Sequence, residues 1–345
     1  MNLPDVKKFN LSGKTVFLRA DLDVPLKNGK VIDDDRLKNI LPTIIYFLSK
    51  SAKIIIAGHL DSPNGKPVKS LSLKPVASRL SVLLKKKIIF SDINEISDKK
   101  KGWEAIMLEN LRFYPGEERN DKDFSRKLAS LADFYVNDAF GTSHRNHASL
   151  VGAAKLLPHA AGFNLLKEIA ILKKVINSPK RPLVLIIGGE KISTKLPLIE
   201  KFHRFADFVL IGGKLAQEET ILLKLQHQKI APPKAALLVA DLTKDGKDIT
   251  IKSAENFAEI IEKAKTVIWN GPVGKIGTPG NIIIAKAIAK TSAFKVAGGG
   301  DTISLIDSLS LSDKFTWLSA GGGAMLAFLA GKKLPALEAL KTKRC

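Results

Sequence analysis

Charged side chains in the first half of the chain follow short apolar segments, in positions that suit an anion site. Arginine binds carboxylate and phosphate oxygens bidentately and stays charged at physiological pH, so a phosphorylated carboxylic acid would satisfy such a group. The alternative is that each arginine pairs with a nearby acid, for example Arg112 with Glu109 or Glu117, and that His59 is a hydrogen-bonded core residue. The residues in question are Asp21, Asp23, Arg36, His59, Arg112, His144, Arg145 and His147.

Glycine follows apolar segments in the second half, in LVLIIGG, FVLIGG, TVIWNG, FKVAGGG and FTWLSAGGG. Such turns at the carboxyl ends of parallel strands present backbone N–H groups and helix N-termini, which bind nucleotide phosphates. The segment GGEKISTK places Lys191 and Lys195 on the same face of a starting helix, where both reach phosphates. Asp301 follows a GGG turn and suits Mg²⁺, although an N-cap role fits its spacing equally.

The elements that position these residues alternate between β-branched strands and amphipathic helices. This alternation predicts an α/β fold of two doubly wound parallel-sheet, Rossmann-like domains joined by a hinge helix. We expect domains over residues 1–160 and 161–330, with the hinge helix over 162–177. A further helix is predicted over 36–50, with Pro42 kinking or interrupting it. No segment reads GxxxxGK[ST], which excludes a P-loop, and no GxGxxG is intact.

The charge balance, the single cysteine and the short apolar runs indicate which partners and locations fit this chain. Lys and Arg number 55 against 34 Asp and Glu, giving a net charge of +21 that favours anionic partners. The lysines are scattered and not interleaved with aromatic residues, so nucleic acid is not the favoured partner. The one cysteine, Cys345, allows no intramolecular disulfide, and no apolar run is long enough for a membrane span. A cytoplasmic location is expected, with His203 and His227 at the surface.

A set of motifs runs in fixed order along essentially the whole chain. The motifs are RADLDVP with VIDDDR, GHLDSP, LENLRF, YVNDAFGTSHRNHAS, GGEKISTK, IGGKLA, VIWNGPVG, AGGGDT and SAGGGAML. Together they resemble the phosphoglycerate kinase family. The resemblance implies a monomeric kinase of glycolysis and gluconeogenesis that moves a phosphoryl group between 1,3-bisphosphoglycerate and MgADP. It also implies an N-terminal phosphoglycerate domain on which residues 331–345 pack, a C-terminal nucleotide domain, and hinge closure between them.

Residue roles follow from the same resemblance. The phosphoglycerate residues would be Asp21, Asp23, Arg36, His59, Arg112 and Arg145. The nucleotide residues would be Gly188, Gly189, Lys191, Lys195, Gly213, Asn270, Gly300, Asp301 and Thr302, with Asp301 holding Mg²⁺. Backbone amides of Gly299, Gly300, Gly322 and Gly323 would stabilise the transition state, and Arg36 and Lys191 would act directly on the transferring group.

The chain departs from the family pattern at several positions. Asp23 stands where the family has asparagine, and Asp61 and Ser62 stand where it has glycine and arginine. These changes add negative charge and remove a cation, so we expect weaker phosphoglycerate binding unless Lys66 or Lys69 compensates. At the nucleotide, Glu190 replaces a small residue and Gly277 replaces the glutamate that contacts the ribose.

Two other functions remain open at this point. One is a catalytically weakened family member that binds anionic ligands or nucleic acid. The other, a dinucleotide-dependent oxidoreductase, is disfavoured because GxGxxG is missing.

Overall fold

The structure is a computed structural model that describes residues 2–96, 102–190, 192–218, 221 and 235–341. The chain divides into two compact units. The first unit comprises residues 1–169 with 333–345, and the second comprises residues 170–332. The division falls inside the helix Phe163–Asn177.

The first unit is built on a six-stranded sheet in which all pairs are parallel, in the order β5-β6-β4-β1-β7-β8. Strands β1 and β4 are almost entirely buried, because apolar side chains on both faces of a parallel sheet are covered by helices. Strands β2 and β3 form a separate antiparallel pair. The strands are β1 (Thr15–Arg19), β2 (Leu26–Lys27), β3 (Lys30–Val31), β4 (Lys53–Ala57), β5 (Ile89–Ser91), β6 (Ala105–Leu108), β7 (Phe134–Asn137) and β8 (His159–Ala161).

The helices of the first unit cover this sheet with apolar faces. Leu37, Ile40 and Phe47 of one helix enter the same core as the side chains of β1 and β4. That helix runs through Pro42 as one element, so the expected interruption does not occur. The helices are α1 (Asp35–Ser49), α2 (Lys74–Leu84), α3 (Pro115–Glu118), α4 (Lys122–Ala129), α5 (Ala153–Leu156) and α6 (Phe163–Asn177).

The second unit repeats this plan with a six-stranded parallel sheet in the order β11-β10-β9-β12-β13-β14. Its core includes Trp269 of the central strand, which is fully buried, together with Phe257 and Ile261. The strands are β9 (Leu183–Ile187), β10 (Phe208–Ile211), β11 (Ala236–Val239), β12 (Thr266–Asn270), β13 (Phe294–Gly298) and β14 (Trp317–Ser319). The helices are α7 (Ile192–His203), α8 (Ile251–Glu262), α9 (Pro279–Lys290), α10 (Gly300–Ser308) and α11 (Gly322–Leu329).

The strand orders create a switch point in each sheet. In the second unit the chain adds β10 and β11 on one side of β9, then returns and adds β12, β13 and β14 on the other. Since parallel crossovers are right-handed, this reversal sends the connecting helices to opposite faces and leaves a crevice at the carboxyl ends of β9 and β12. The predicted fold class, two parallel doubly wound sheets, is confirmed.

The last described residues return to the first unit. The short helix α12 (Pro335–Ala339) lies there, and the Ala336 N–H donates to the Ser143 carbonyl at 3.2 Å. Within the described ranges, no helix combines the length and apolar character that crossing a membrane requires.

Candidate functional site

Arg36 and Asp21 form the first contact of the predicted cationic site. Asp21 follows β1, and Arg36 lies in the first turn of α1, so the two elements bring them together. The Arg36 Nη1 donates to both Asp21 carboxylate oxygens, at 3.0 and 3.3 Å. Burial acts to lower the pKa of Arg36, but the charges of Asp21 and Asp23 outweigh it, and the net pKa is raised. Arg36 is therefore a fixed, permanently charged group.

His59 lies deeper in the same site, at 3% exposure, just after β4. Its Nε2 is 4.0 Å from Asp23 Oδ2, and its Nδ1 is 3.2 Å from Nη2 of Arg19. Burial, with the charge of Arg19, holds the pKa of His59 well below its ordinary value, so the ring is neutral.

Arg19 is the first residue of the motif RADLDVP and received no role in the sequence analysis, although a charged side chain at the end of the apolar strand TVFLR is a signal in its own right. Its side chain is fully buried. It touches His59, a predicted substrate residue, and thereby connects the sheet interior to the site.

Arg112 follows β6 and donates through Nη1 to the Asp61 carbonyl at 2.7 Å and to the Ser62 hydroxyl at 3.2 Å. The expectation that it pairs with Glu109 or Glu117 is wrong: its Nε lies 3.4 Å from Glu118. Glu109 instead binds Ser72 and the Leu73 N–H, and Glu117 binds Ser149. Burial and the charge of Arg19 lower the pKa of Arg112.

Asp23 lies between Arg36 and Asp61, the residue whose carbonyl binds Arg112. The Asp23 Oδ1 accepts the Asp61 N–H at 2.9 Å, and its Oδ2 lies 4.0 Å from Arg36 Nη1. Thus the departures from the family at positions 23 and 61 contact each other. They form part of the site wall.

Arg145 belongs to the same cluster through its charge. Burial, then Arg112 and Arg19, and then Arg145 lower the pKa of His147 to about 3. Burial and Arg145 also lower the pKa of His144. The two histidines therefore add no positive charge to the site at neutral pH. Direct contacts join Asp21, Asp23, Arg36 and His59. Arg112 is connected to Asp23 through the backbone of Asp61, and Arg145 belongs to the cluster by electrostatic proximity.

A cavity of about 880 Å³ opens in the second unit at the carboxyl ends of its strands, where the sheet topology requires one. Most predicted nucleotide residues line it. The lining residues are Gly189, Glu190, Thr194, Lys195, Gly213, Lys214, Gln217, Asp245, Gly246, Lys247, Asn270, Gly271, Pro272, Gly274, Lys275, Ile276, Gly299, Gly300, Asp301, Thr302 and Gly322.

Lys195 is the buried cation of this cavity. Its Nζ donates to the carbonyl of Gly188, a predicted residue that is not itself among the lining residues. Burial lowers the pKa of Lys195 to about 8, opposed by the nearby charge of Asp301. Lys191 lies outside the described residues, so its predicted role stays a prediction.

The turn after β13 is shaped for an anion. Gly299 has a φ of +101°, which an L side chain rarely adopts, and α10 begins immediately after it. Thr302 Oγ1 accepts the Gly271 N–H at 2.8 Å, and Asn270 Nδ2 donates to the Gly298 carbonyl at 2.9 Å. These bonds join the β12 and β13 turns and leave the first amides of α10 facing the cavity.

The start of α11 adds a second helix N-terminus. A Cβ at Gly322 would lie 2.9 Å from Gly299 Cα, so only glycine permits this approach. Gly323, the next residue of α11, is not among the lining residues.

One wall of the cavity carries Glu190, a departure from the family inside the motif GGEKISTK, which pairs with Lys214 through a 2.5 Å contact. Asp245 and Lys247 come from a loop with no recognised motif, although TKDGK is a recognisable turn sequence. Gly277 has a φ of +87° with open space around it, so no side chain stands at this position.

His203 and His227 were both predicted to lie at the surface. His203 is fully buried at the end of α7, so its predicted surface position is wrong. Its backbone carbonyl accepts the Ala235 N–H at 2.8 Å, which shows that the chain near 235 covers this helix end. His227 lies outside the described residues.

The chain has two α/β units, each built on a parallel sheet. One unit carries a cationic cluster, and the other has a cavity at which helix N-termini suit phosphate groups. These are the features of a phosphotransferase that acts on small anions. The sequence pattern described as phosphoglycerate kinase matches residues 6–234 and 223–332. The chain belongs to the phosphoglycerate kinase family.

Individual relatives support this membership over the full length. A protein named phosphoglycerate kinase from Dictyoglomus turgidum is 42% identical, and the match covers 98% of both chains. One from Leptospira biflexa is 38% identical over 99% of both. The solved phosphoglycerate kinase of Coxiella burnetii superposes with a TM-score of 0.82 at 32% identity, covering 99% of both chains. That of Pyrococcus horikoshii OT3 superposes at 0.83, also at 32% identity, with 98% coverage of each.

Proposed function

We propose that this chain catalyses the reversible transfer of a phosphoryl group from 1,3-bisphosphoglycerate to MgADP, giving 3-phosphoglycerate and MgATP. The observation that carries the proposal is the full-length match to phosphoglycerate kinases, at 98 to 99% coverage, in a chain that keeps both anion-binding surfaces. The departures at Asp23, Asp61 and Ser62 and the net charge of +21 favour a binding protein without catalysis, but they leave both anion-binding surfaces in place.

Phosphoglycerate binds, in this proposal, to the cationic cluster of the first unit. Arg36, oriented by Asp21, takes the oxygens nearest the reaction, and Arg112 and Arg145 take the distant phosphate. Nη1 of Arg112 donates to the Asp61 carbonyl and to Ser62, and its Nε lies beside Glu118, so Nη2 is the nitrogen that we assign to the ligand. Lys66 and Lys69 are exposed on the neighbouring loop and supply the charge that Ser62 lacks.

The nucleotide phosphates lie against the first turns of α10 and α11 in the second unit. Helix N-termini carry partial positive charge and unpaired N–H groups, which is why two of them suit a chain of phosphates. Lys195, with its pKa near 8, stays largely protonated at neutral pH and adds a full charge. The Thr302 hydroxyl, having accepted the Gly271 N–H, can still donate to a phosphate oxygen.

The donor groups of the cavity fit Mg²⁺ held mainly through the nucleotide. Asp301 is exposed in the first turn of α10 and lines the cavity, and Mg²⁺ commonly takes one carboxylate with phosphate and water oxygens. Across the part of the chain that the structure describes, the one close trio of candidate ligands is Asp33, Asp34 and Asp35. Arg79 and Lys38 already engage Asp34, so we assign Asp301 to the metal. When bound, the ion neutralises phosphate charge.

The transfer step needs positioning and charge stabilisation and no general base, because the acceptor oxygens are already anionic. The transferring group spreads negative charge over its equatorial oxygens. Arg36 and the amides of Gly299, Gly300 and Gly322 stabilise that charge, with Lys191 as the predicted cation on the nucleotide side. Arg36 suits the task because the carboxylates beside it raise its pKa.

A coupled assay tests the proposal. Purified protein is mixed with MgATP and 3-phosphoglycerate, and a dehydrogenase removes 1,3-bisphosphoglycerate as it forms. We expect nucleotide- and phosphoglycerate-dependent turnover that disappears with a Mg²⁺ chelator. ADP binding without any turnover would instead make the chain a non-catalytic member of the family.

A further inference from the structure

A buried chain of hydrogen bonds runs beneath the cationic site from Glu117 to His59. Glu117 Oε1 accepts the Ser149 hydroxyl at 2.6 Å, and Oε2 accepts the Ser149 N–H at 2.9 Å. Arg19 Nε donates to the same hydroxyl at 2.9 Å, and Arg19 Nη2 lies 3.2 Å from His59 Nδ1. Glu117, Ser149 and Arg19 are fully buried, and none of them has a role in the reaction proposed above.

The chemistry of these groups fixes the direction of every bond. A guanidinium can only donate, so His59 Nδ1 must accept and the ring proton must be on Nε2. Burial raises the pKa of Glu117, and the charge of Arg19 and the hydrogen bonds from Ser149 oppose that rise. With Glu117 ionised, the single Ser149 hydroxyl proton goes to Glu117, and the Ser149 oxygen accepts from Arg19. The four residues therefore have one consistent arrangement of protons.

The Nε2–H of His59 is the end of this chain that lies nearest to Asp23 and Arg36. That nitrogen lies 4.0 Å from Asp23 Oδ2, and the same Asp23 oxygen lies 4.0 Å from Arg36 Nη1. The proton consequently points to the region between Arg36 and Asp23, where a ligand carboxylate or hydroxyl would need a donor. The other tautomer would present a lone pair there and repel an anion.

Arg19 depends on Ser149 and Glu117 for its position. Within the described ranges no carboxylate lies within 4.0 Å of its guanidinium, so the buried charge is compensated through the Ser149 hydroxyl. Its other hydrogen bonds join Nη1 to the Ala20 carbonyl at 2.5 Å and Nη2 to His59 Nδ1 at 3.2 Å. Without Ser149, Nε loses its acceptor and the guanidinium is free to turn away from His59.

We propose that Ser149 and Glu117 are positioning residues for phosphoglycerate, which hold Arg19 so that His59 is kept as the Nε2–H tautomer and donates to the substrate. The identity of the ligand, phosphoglycerate, rests on the proposed function. The tautomer of His59 follows from the hydrogen bonds and does not depend on that function.

Nuclear magnetic resonance of protein labelled with ¹⁵N-histidine tests the state of the ring, because the two tautomers give different nitrogen shifts. His159 is an internal control: its Nδ1 lies 2.9 Å from the Leu157 carbonyl, which only accepts, so its proton is on Nδ1. In the wild-type protein we expect Nε2–H for His59 and Nδ1–H for His159. In Ser149→Ala the His59 signal should become a mixture of tautomers, and the His159 signal should stay unchanged.

Kinetics test the consequence for the substrate. Ser149→Ala should raise the KM for 3-phosphoglycerate about 10-fold, the scale of one lost hydrogen bond to a charged group, and leave the KM for MgATP within about twofold. Ser125→Ala is the matched control, because it removes a buried hydroxyl of the same unit that donates only to the Asp121 carbonyl. It should change neither the His59 signal nor the phosphoglycerate KM.

The proposal is overturned if His59 keeps its wild-type shifts in Ser149→Ala, or if the phosphoglycerate KM does not change. If circular dichroism shows that Ser149→Ala does not fold, the same two measurements are made on Glu117→Gln. This variant keeps the shape of the Glu117 side chain and removes its charge. If the wild-type protein shows no turnover, the proposed function fails, and the hydrogen-bond chain is then judged on the His59 spectrum alone.

Discussion

At the scale of single residues, Asp23 is the departure from the family with the clearest consequence for binding. Its carboxylate lies 4.0 Å from both Arg36 and His59, so it competes with an anionic ligand for these groups. Asp23→Asn keeps an oxygen for the Asp61 N–H and removes the charge. We expect the KM for 3-phosphoglycerate to fall about two- to fivefold, the range for a partly exposed charge. Asp123→Asn, on an exposed helix, is the control, and an increased KM in Asp23→Asn would show that the carboxylate helps binding.

Arg36 provides the residue-scale test of the transfer step. Arg36→Ala removes a cation whose charge Asp21 and Asp23 sustain, and turnover should fall by a factor of about 100 or more. The KM for MgATP should stay within about twofold, because the nucleotide cavity belongs to the other unit. Steady-state kinetics measure both quantities, with Arg126→Ala, an exposed arginine, as the control. Near-normal turnover would remove Arg36 from the mechanism.

The sequence predicts those residues of the candidate site that are charged and follow apolar strands. It does not predict the residues that hold them in position. Arg36, His59 and Arg112 stand out because charged groups after apolar strands need a reason. Ser149 and Glu117 do not stand out, since a serine and a glutamate in a polar stretch are ordinary surface residues by composition. Their burial follows from the packing of α3 against the turn Ala148–Gly152, which no local pattern encodes.

At the scale of elements, two glycines at helix starts allow a matched comparison. A Cβ at Gly322 would lie 2.9 Å from the backbone of Gly299, whereas a Cβ at Gly300 meets nothing within 4 Å. Gly322→Ala should therefore push α11 away from the β13 turn, weaken ADP binding about 10-fold and lower the melting temperature. Gly300→Ala should change the melting temperature little, because its Cβ would contact no protein atom. Calorimetric titration and thermal unfolding distinguish them, and equal effects would contradict the steric argument.

Asp138, a buried carboxylate directly after β7 that accepts an N–H from the first turn of α6, should make stability depend on pH. Asp138 accepts the Thr43 hydroxyl at 2.6 Å and the Leu165 N–H at 2.9 Å. Burial raises its pKa to about 6, although these hydrogen bonds act in the opposite direction. The folded protein thus holds a proton that the unfolded chain, with a carboxyl pKa near 4, has already lost. The free energy of unfolding should fall as pH rises from about 4 to about 6, by up to about 3 kcal/mol from this group.

Urea unfolding at pH 4.5, 5.5 and 7 tests the contribution of Asp138. The difference in unfolding free energy between wild type and Asp138→Asn should shrink by about 1 to 3 kcal/mol across this range, because only the wild type carries the titrating group. Asp121→Asn, which removes the charge of the exposed N-cap of α4 and keeps its acceptor oxygen, is the control for charge loss without burial. A difference that does not change with pH would mean that Asp138 is not protonated in the folded state.

Helices and strands could be predicted from the sequence where the apolar pattern was long and regular. The prediction was less accurate where contacts with other parts of the fold decide the local structure. The pattern predicted α1 over 36–50, and the structure has Asp35–Ser49. Its proline was expected to kink or break the helix, yet Pro42 is tolerated because the buried apolar face on both sides of it holds the helix in place. The short pairing of β2 with β3, a hairpin around Asn28 and Gly29, was not predicted, although NG is a turn signal.

At the scale of the whole molecule, the repeating strand-helix pattern predicted two parallel sheets, because alternation of this kind has few other solutions. The order of strands within each sheet did not follow from the pattern. It depends on which neighbour each strand pairs with, and therefore on contacts between residues far apart in sequence, such as β9 with β12. The cavity follows from that order, since the reversal between β9 and β12 opens it.

The net charge of +21 should make the enzyme's efficiency depend strongly on ionic strength. A positive field raises the local concentration of phosphoglycerate and nucleotide, both anions, and salt screens that field over about 10 Å at 0.1 M. We expect kcat/KM for 3-phosphoglycerate to fall about three- to tenfold between 50 and 500 mM potassium chloride, mainly through KM. Potassium acetate at equal ionic strength should give the same curve, and an equal osmolality of sucrose should leave kcat/KM unchanged. A flat response to both salts would mean that the excess positive charge lies too far from the two sites to attract their ligands.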